Sequence, residues 1–387
     1  MIADNVGAAC GRPTRAGRGM RRAATGRPYR GGRLLAVLAA AALLLAGCSA
    51  LLERDYSSVT PHNAIPTTEG DPSILRADSY QELVNALIYF VNGGTEEGTV
   101  RLYTDTENVE PYLSDACLEV VQEDPLGAYC VEFIKYTVDP VVAYSEAHIA
   151  ITYRRTREQV ASIVQATGVT AIRGELKSAL TSFAAERVLR ISYFEEDEAF
   201  IRELVRQAYY DVPACALGMP AVELSIYPAS GRQRIVEILL DYPLERAELE
   251  ERRDDLAWEL ELLTRDLTAG GRTPQVTDAL QALLGEGRYD PEGDATPYDF
   301  FSAGAANSEG LSLAFAALCQ ELKLSCHVAQ GTLEGEPHFW TVVQTGEGWR
   351  HLDPSVPEED RRFHTDQELQ ELGYNWEGSD LPVCAPA

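Results

Sequence analysis

Asn307-Ser308-Glu309-Gly310-Leu311-Ser312-Leu313-Ala314-Phe315 opens a helix. Asn307 or Ser308 can cap it by accepting a backbone N–H of the first turn, and Leu311, Phe315, Leu318 and Leu322 recur at the spacing of one apolar face. A strand-like run, Ser325-Cys326-His327-Val328-Ala329, comes next. Then follow Pro337-His338-Phe339-Trp340-Thr341-Val342-Val343 and, after a Gly-rich turn, Trp349-Arg350-His351-Leu352-Asp353-Pro354. Nothing else in the chain reads as chemistry: no C-x-x-C and no H-E-x-x-H occurs, so neither a metal nor a cofactor is expected.

Taken in order, these pieces resemble the transglutaminase-like superfamily. Its bacterial members carry, in outline, G-x-C-E-G-[YL]-x-x-A-F-x-x-L, then a strand, then H-x-W-N-x-V, then G-x-W-x-x-[LV]-D-P. Glu309-Gly310, Ala314-Phe315, His338 with Trp340, and Trp349 with Leu352-Asp353-Pro354 all fall in place, while Ala306 and Thr341 depart at the leading Gly and the Asn. The resemblance spans about residues 255 to 384. It implies an α+β fold: a C-terminal papain/transglutaminase-like domain, with a nucleophile-bearing helix packed on an antiparallel sheet. It also implies roles: His338 as general base, Asp353 as the group that orients it, and Ser308 where the family has its nucleophilic cysteine; Trp340 reads as a wall or core residue that could line the cleft.

That serine changes the chemistry. A helix N-terminus and an imidazolium can bring a thiol from about 8.5 to well below 7, giving a standing thiolate. A hydroxyl is far less acidic and needs its proton removed in the transition state, together with an oxyanion hole, as in Ser-His-Asp enzymes. No other cysteine can stand in: Cys319 lies three turns along the same helix, roughly 16 Å away at about 1.5 Å per residue. Cys326, in the next strand, reads as a small buried residue or as half of a disulfide with Cys319. Two functions therefore compete. One is a catalytically silent domain that binds peptide or glycan, with His338 and Asp353 forming a core hydrogen bond that supports the sheet. The other is a hydrolase or acyl transferase on amide or ester bonds using a Ser308-His338-Asp353 triad. A purely organising role in an envelope complex is the third option.

Upstream, residues 78–250 read as a duplicated α/β unit with an offset of about 89 residues. Val100-Arg101-Leu102-Tyr103 in the first copy matches Val188 to Tyr193 in the second. Helices are predicted over Tyr112 to Glu123 and Glu198 to Tyr210, stopping at Asp124-Pro125 and Val212-Pro213. Closing strands are predicted at Ile149 to Tyr153 and Ile238 to Tyr242. A helix over Leu244 to Leu267, with Leu256, Leu260, Leu263 and Leu267 in register, opens the last domain, 251–387.

Residues 1–47 differ in kind from the rest. Eight arginines face a single acid, Asp4, and the apolar run Leu34 to Ala46 is too short to span a membrane. This is the pattern of a signal peptide, and Met20 could equally serve as its start. Leu45-Ala46-Gly47-Cys48 resembles the bacterial lipobox, which implies cleavage before Cys48 and acylation of its sulfur. Residues 48–77, rich in Pro, Ser and Thr, read as a flexible tether. The expected product is exported and lipid-anchored to the cell membrane, facing outward, with cell-wall peptide or an envelope protein as partner.

Cleavage removes eight of the 33 basic residues and one of the 60 acidic ones, leaving a formal charge near −34. Such a surface repels phosphate backbones, so nucleic acid is excluded as a partner. Six cysteines remain beyond Cys48, and their spacing does not choose among fifteen disulfide pairings.

Overall fold

Among the described residues three sheets of four or five strands follow one another along the chain, with a two-stranded parallel pair ahead of the third. The computed structural model describes residues 65–386 apart from 72, 105–107 and 378–380; the expected signal peptide and Cys48 lie outside the described residues. The first sheet holds β1 (Thr67–Thr68), β2 (Ile74–Ala77), β3 (Glu97–Leu102), β4 (Val131–Val141) and β5 (Tyr144–Tyr153), in the order β1-β2-β3-β5-β4. Its helices are α1 (Tyr80–Asn92), α2 (Glu110–Glu123) and α3 (Pro125–Cys130).

A short α4 (Arg157–Ala161) leads into the second sheet, formed by β6 (Val164–Ala166), β7 (Glu186–Ser192), β8 (Ala221–Tyr227) and β9 (Gln233–Asp241), in the order β6-β7-β9-β8. Helices α5 (Val169–Thr181) and α6 (Glu198–Tyr210) accompany it. Strand order and register repeat between the two units. Ala77 lies beside Leu102 as Ala166 lies beside Ile191, and Val100 opposes Ala147 as Leu189 opposes Val236; each residue is 89 positions from its counterpart.

The prolines expected to stop two helices also start new turns. Asp124 caps α3 by accepting the Gly127 N–H, with Pro125 at the first helical position, and Pro213 opens a short 3-10 turn. The tether expected to run to residue 77 ends earlier. Leu75 and Ala77 are fully buried strand residues, because β2 pairs parallel with β3 and completes the apolar face.

The second sheet is covered on both faces. Val188 and Ile235 pack into the apolar cluster of the first unit, while Leu189, Ile191, Val236, Ile238 and Leu240 pack with α5 and α6. The matching outer face of the first sheet, with Glu97, Lys135, Thr137 and His148, is exposed and polar. A polar outer face is what a terminal member of a stack needs.

The last third contains α7 (Arg246–Thr268), α8 (Val276–Glu286), β10 (Arg288–Tyr289), α9 (Pro297–Ala303), β11 (Ala305–Ala306) and α10 (Ser308–Glu321). After these come β12 (Cys326–Leu333), β13 (Glu336–Thr345), β14 (Gly348–Leu352), α11 (Asp366–Glu371) and β15 (Tyr374–Asn375). The sheet β14-β13-β12-β15 is antiparallel throughout. Against it packs α10, giving the α+β arrangement of a helix on an antiparallel sheet.

Instead of one apolar face, α10 is buried nearly all round, from Gly310 to Cys319, because α7, α8, α9 and the second repeat cover the sides that the sheet does not. A Cβ at Gly310 would fall 2.8 Å from the Asp294 carbonyl oxygen, so only glycine admits this approach. The described residues from 65 onward belong to one compact unit, and the expected boundary at 250/251 falls inside α7.

Candidate functional site

Asn307 is the cap that starts α10. Its Oδ1 accepts the N–H groups of Glu309 (3.0 Å) and Gly310 (3.1 Å), so Ser308 becomes the first helical residue, at the positive end of the helix dipole. Strand β13 presents His338 alongside. Asp353 follows β14 directly, and the pairing of β13 with β14 brings its carboxylate to the imidazole.

The three predicted residues converge. His338 Nε2 and Asp353 Oδ2 are 2.6 Å apart. Ser308 Oγ accepts the backbone N–H of Phe339, the residue next to His338, at 3.3 Å. Ser308, His338 and Asp353 are only 9%, 8% and 4% exposed. The hydroxyl thus meets the strand amide and not the imidazole, and His338 Nδ1 makes no hydrogen bond among the described residues.

Asp353 is saturated with donors. Oδ1 accepts from Ser355 N–H (2.8 Å) and Ser355 Oγ (2.6 Å), while Oδ2 accepts from Tyr374 Oη (2.7 Å) as well as from His338. Burial alone pushes this carboxyl up, but the hydrogen bonds from His338, Ser355 and Tyr374 outweigh it and hold the group below its ordinary value. A carboxylate held ionised in this way at neutral pH fixes the ring orientation of His338. Sequence reasoning missed Ser355 and Tyr374, since neither falls in a recurring pattern.

Trp340, a candidate to line the cleft, is instead fully buried. Its ring lies behind His338, near-parallel at 6.5 Å, and its indole N–H donates to His351 Nδ1 at 2.9 Å. A buried indole N–H needs an acceptor, and the inward-facing His351 supplies one.

His351 Nε2 in turn meets Asp366 Oδ1 at 2.8 Å. Burial lowers the His351 pKa, with Asp366 opposing, so the ring is held neutral. His351, Asp366 and Cys384 bring three possible ligand atoms within 4.8 Å of one another. The donor set does not suit a cation. Trp340 can only donate, so His351 Nδ1 must be the bare nitrogen and Nε2 must carry the proton, which leaves no lone pair for a metal.

The second repeat also reaches the site. Tyr210, the last residue of α6, donates its hydroxyl to Glu309 Oε1 at 2.9 Å, and its ring lies 5.8 Å from that of Phe339. Glu309 neighbours Ser308, and burial pushes its carboxyl up against the opposing Tyr210 hydrogen bond. On the Asp353 side opens a cavity of about 330 Å3 lined by Leu333, Asp353, Val356, Arg362, His364 and Tyr374.

No protein-family model and no curated protein matches this chain. Among solved structures it is similar to a TGase, at 13% identity over 61% of this chain and 68% of that one, with a TM-score of 0.23. A second, provisionally named a cysteine protease, from Cytophaga hutchinsonii, aligns at 11% identity over 37% of this chain and 65% of that one, also with a TM-score of 0.23. A third, provisionally named a protease, from Parabacteroides distasonis, aligns at 10% identity over 66% of this chain and 40% of that one, with a TM-score of 0.21.

Proposed function

We propose that this chain is an outward-facing envelope lipoprotein, held on the membrane through acylated Cys48, whose C-terminal transglutaminase-like domain is catalytically silent and binds peptide or glycan. The observation that carries the silent reading is the engagement of Ser308. Its oxygen accepts a backbone N–H from Phe339, and the nearby His338–Asp353 pair does not receive the hydroxyl proton. A thiolate would need only the helix dipole and an imidazolium for activation, whereas a serine needs the imidazole in direct contact as general base. The cavity beside Asp353, with Arg362 and His364 over an apolar floor, suits a short polar ligand such as a wall peptide.

One observation favours an active hydrolase or acyl transferase: the His338–Asp353 pair is short, buried and braced by Ser355 and Tyr374, as an orienting pair in a triad would be. A fluorophosphonate probe separates the two readings. The silent reading expects no covalent label on Ser308. Labelling that disappears in Ser308→Ala would establish the triad instead.

A further inference from the structure

The first and second repeats share strand order and register but differ at one hairpin tip. In the second repeat, β8 and β9 are joined through Pro228-Ala229-Ser230-Gly231-Arg232, a polar turn with Gly231 at φ +105°. In the first, β4 and β5 are joined through Val142-Ala143, between Val141 and Tyr144. A two-residue hairpin turn ordinarily takes Asn-Gly or a similar pair. Here Val142 is 107% exposed and Val141 43%, so the tip of the longest hairpin in this sheet offers bare aliphatic side chains to its surroundings.

Register shows where that tip points relative to the chain's start. Leu102 at the end of β3 opposes Ser145, Ala77 lies beside Leu102, and β1 runs antiparallel to β2 with Thr67 opposite Arg76. The segment preceding Thr67 therefore reaches the sheet at the same end as the hairpin tip. Ile65, 86% exposed, stands there. With β1 and β4 at opposite edges of five strands, the two points are about 19 Å apart at roughly 4.8 Å per strand. Between them stand Tyr103 and Tyr144, their rings 5.2 Å apart, an aromatic pair of the kind that sits well at a lipid–water boundary.

We propose that this end of the first sheet, led by Val141 and Val142 with Ile65 beside it, docks into the interfacial layer of a phospholipid membrane. The proposal rests on the lipoprotein reading. Residues 49–64 separate the acylated Cys48 from Ile65, and a fully extended chain of that length spans at most about 60 Å. The anchor thus keeps the whole domain within reach of the bilayer, and the apolar tip selects which end faces it. Both arginines at this end are already paired, Arg76 with Asp78 and Glu69 and Arg101 with Glu69 and Glu146, so neither is left over for an anionic headgroup. Docking is therefore driven by apolar contact and has no requirement for anionic lipid.

The test uses the lipid-bearing full chain bound to phosphatidylcholine vesicles. An environment-sensitive fluorophore is attached through Val142→Cys in one sample and through Ser230→Cys, at the polar tip, in another, with the labelled parent as background. On vesicle binding, the probe at 142 shifts to the blue and loses emission to nitroxide-bearing lipid chains. The probe at 230 does neither, and neither phosphatidylglycerol nor added salt alters the result. A probe at 142 that keeps its aqueous emission while the protein floats with the vesicles overturns the proposal, whether that tip meets water or a second copy. Flotation of the parent beside Cys48→Ala reports on the anchor separately, and a parent that fails to float removes the anchor and the docking together.

Discussion

His338–Asp353 and His351–Asp366 are the same pair of functional groups, at 2.6 and 2.8 Å, on adjacent strands of one sheet. They differ in what the second ring nitrogen does. In His351 it accepts the Trp340 N–H, so both nitrogens are occupied and the ring is fully buried. In His338 the second nitrogen has no partner among the described residues, and the next backbone amide meets Ser308. The count of satisfied nitrogens, more than the presence of a carboxylate, separates a histidine tied wholly into the core from one that keeps a ring nitrogen unpaired among the described residues.

The sharpest way to break this contrast is Ser308→Cys. A thiol at the start of α10, beside His338, is expected to react with iodoacetamide at pH 7 at least about a hundredfold faster than the native buried thiols. Burial pushes Cys117, Cys130 and Cys384 up to about 12, so they provide an internal reference. A new thiol as slow as those would mean that the helix terminus and the imidazole do not act on position 308.

Next in size is His351→Ala, which strands the Trp340 N–H in the core and takes one donor from the partly exposed Asp366 carboxylate, and is expected to cost about 2–4 kcal/mol in urea denaturation. His338→Ala leaves Asp353 with its Ser355 and Tyr374 donors and is expected to cost about 1–2 kcal/mol. Equal losses would erase the distinction between the two rings. Tyr374→Phe removes one of the four donors to Asp353 and should lower stability by about 1 kcal/mol.

The smallest effect is in the pH profile. His351 has a lowered pKa in the fold, so its contribution is complete above the ordinary histidine value of about 6.5 and is lost as pH falls through the lower folded value. Asp353 is also lowered, so its contribution persists to below about 3.9 and disappears only as pH drops through its folded value. Denaturation midpoints measured from pH 7 to pH 5 should decline in the parent. They should decline less in His351→Gln, which can keep both hydrogen bonds without titrating.

Ser308, His338 and Asp353 were legible because their chemistry is tied to recurring neighbours: a capped helix, an H-x-W strand and a D-P turn. Trp340 was legible as a strand residue of the wall or core, but its place between cleft and interior was not, since strand alternation puts it on the His338 side without saying how deep that side lies. Tyr374 comes from a two-residue strand after a long irregular segment, where no periodicity exists to read. In the repeats, β5 and β9 stood out as short apolar runs, while β4 was hidden by Asp139-Pro140, a turn signal in a turn's usual place. β4 tolerates Pro140 because it lies at the sheet edge, where a missing N–H donor is harmless. The pairing of β2 with β3 is visible only from the buried Leu75 and Ala77, too few residues to form a pattern.

Leu313 and Ala316, on the flank of the helix that begins with Ser308, belong to the same apolar cluster as Leu204 and Val236 of the second repeat. Grafting the last third of the chain onto another carrier would deliver that helix with one side stripped. The repeats and the site are inherited as a single piece, and a gene fusion or recombination event that separates them near residue 250 should yield a product that aggregates before it can be assayed.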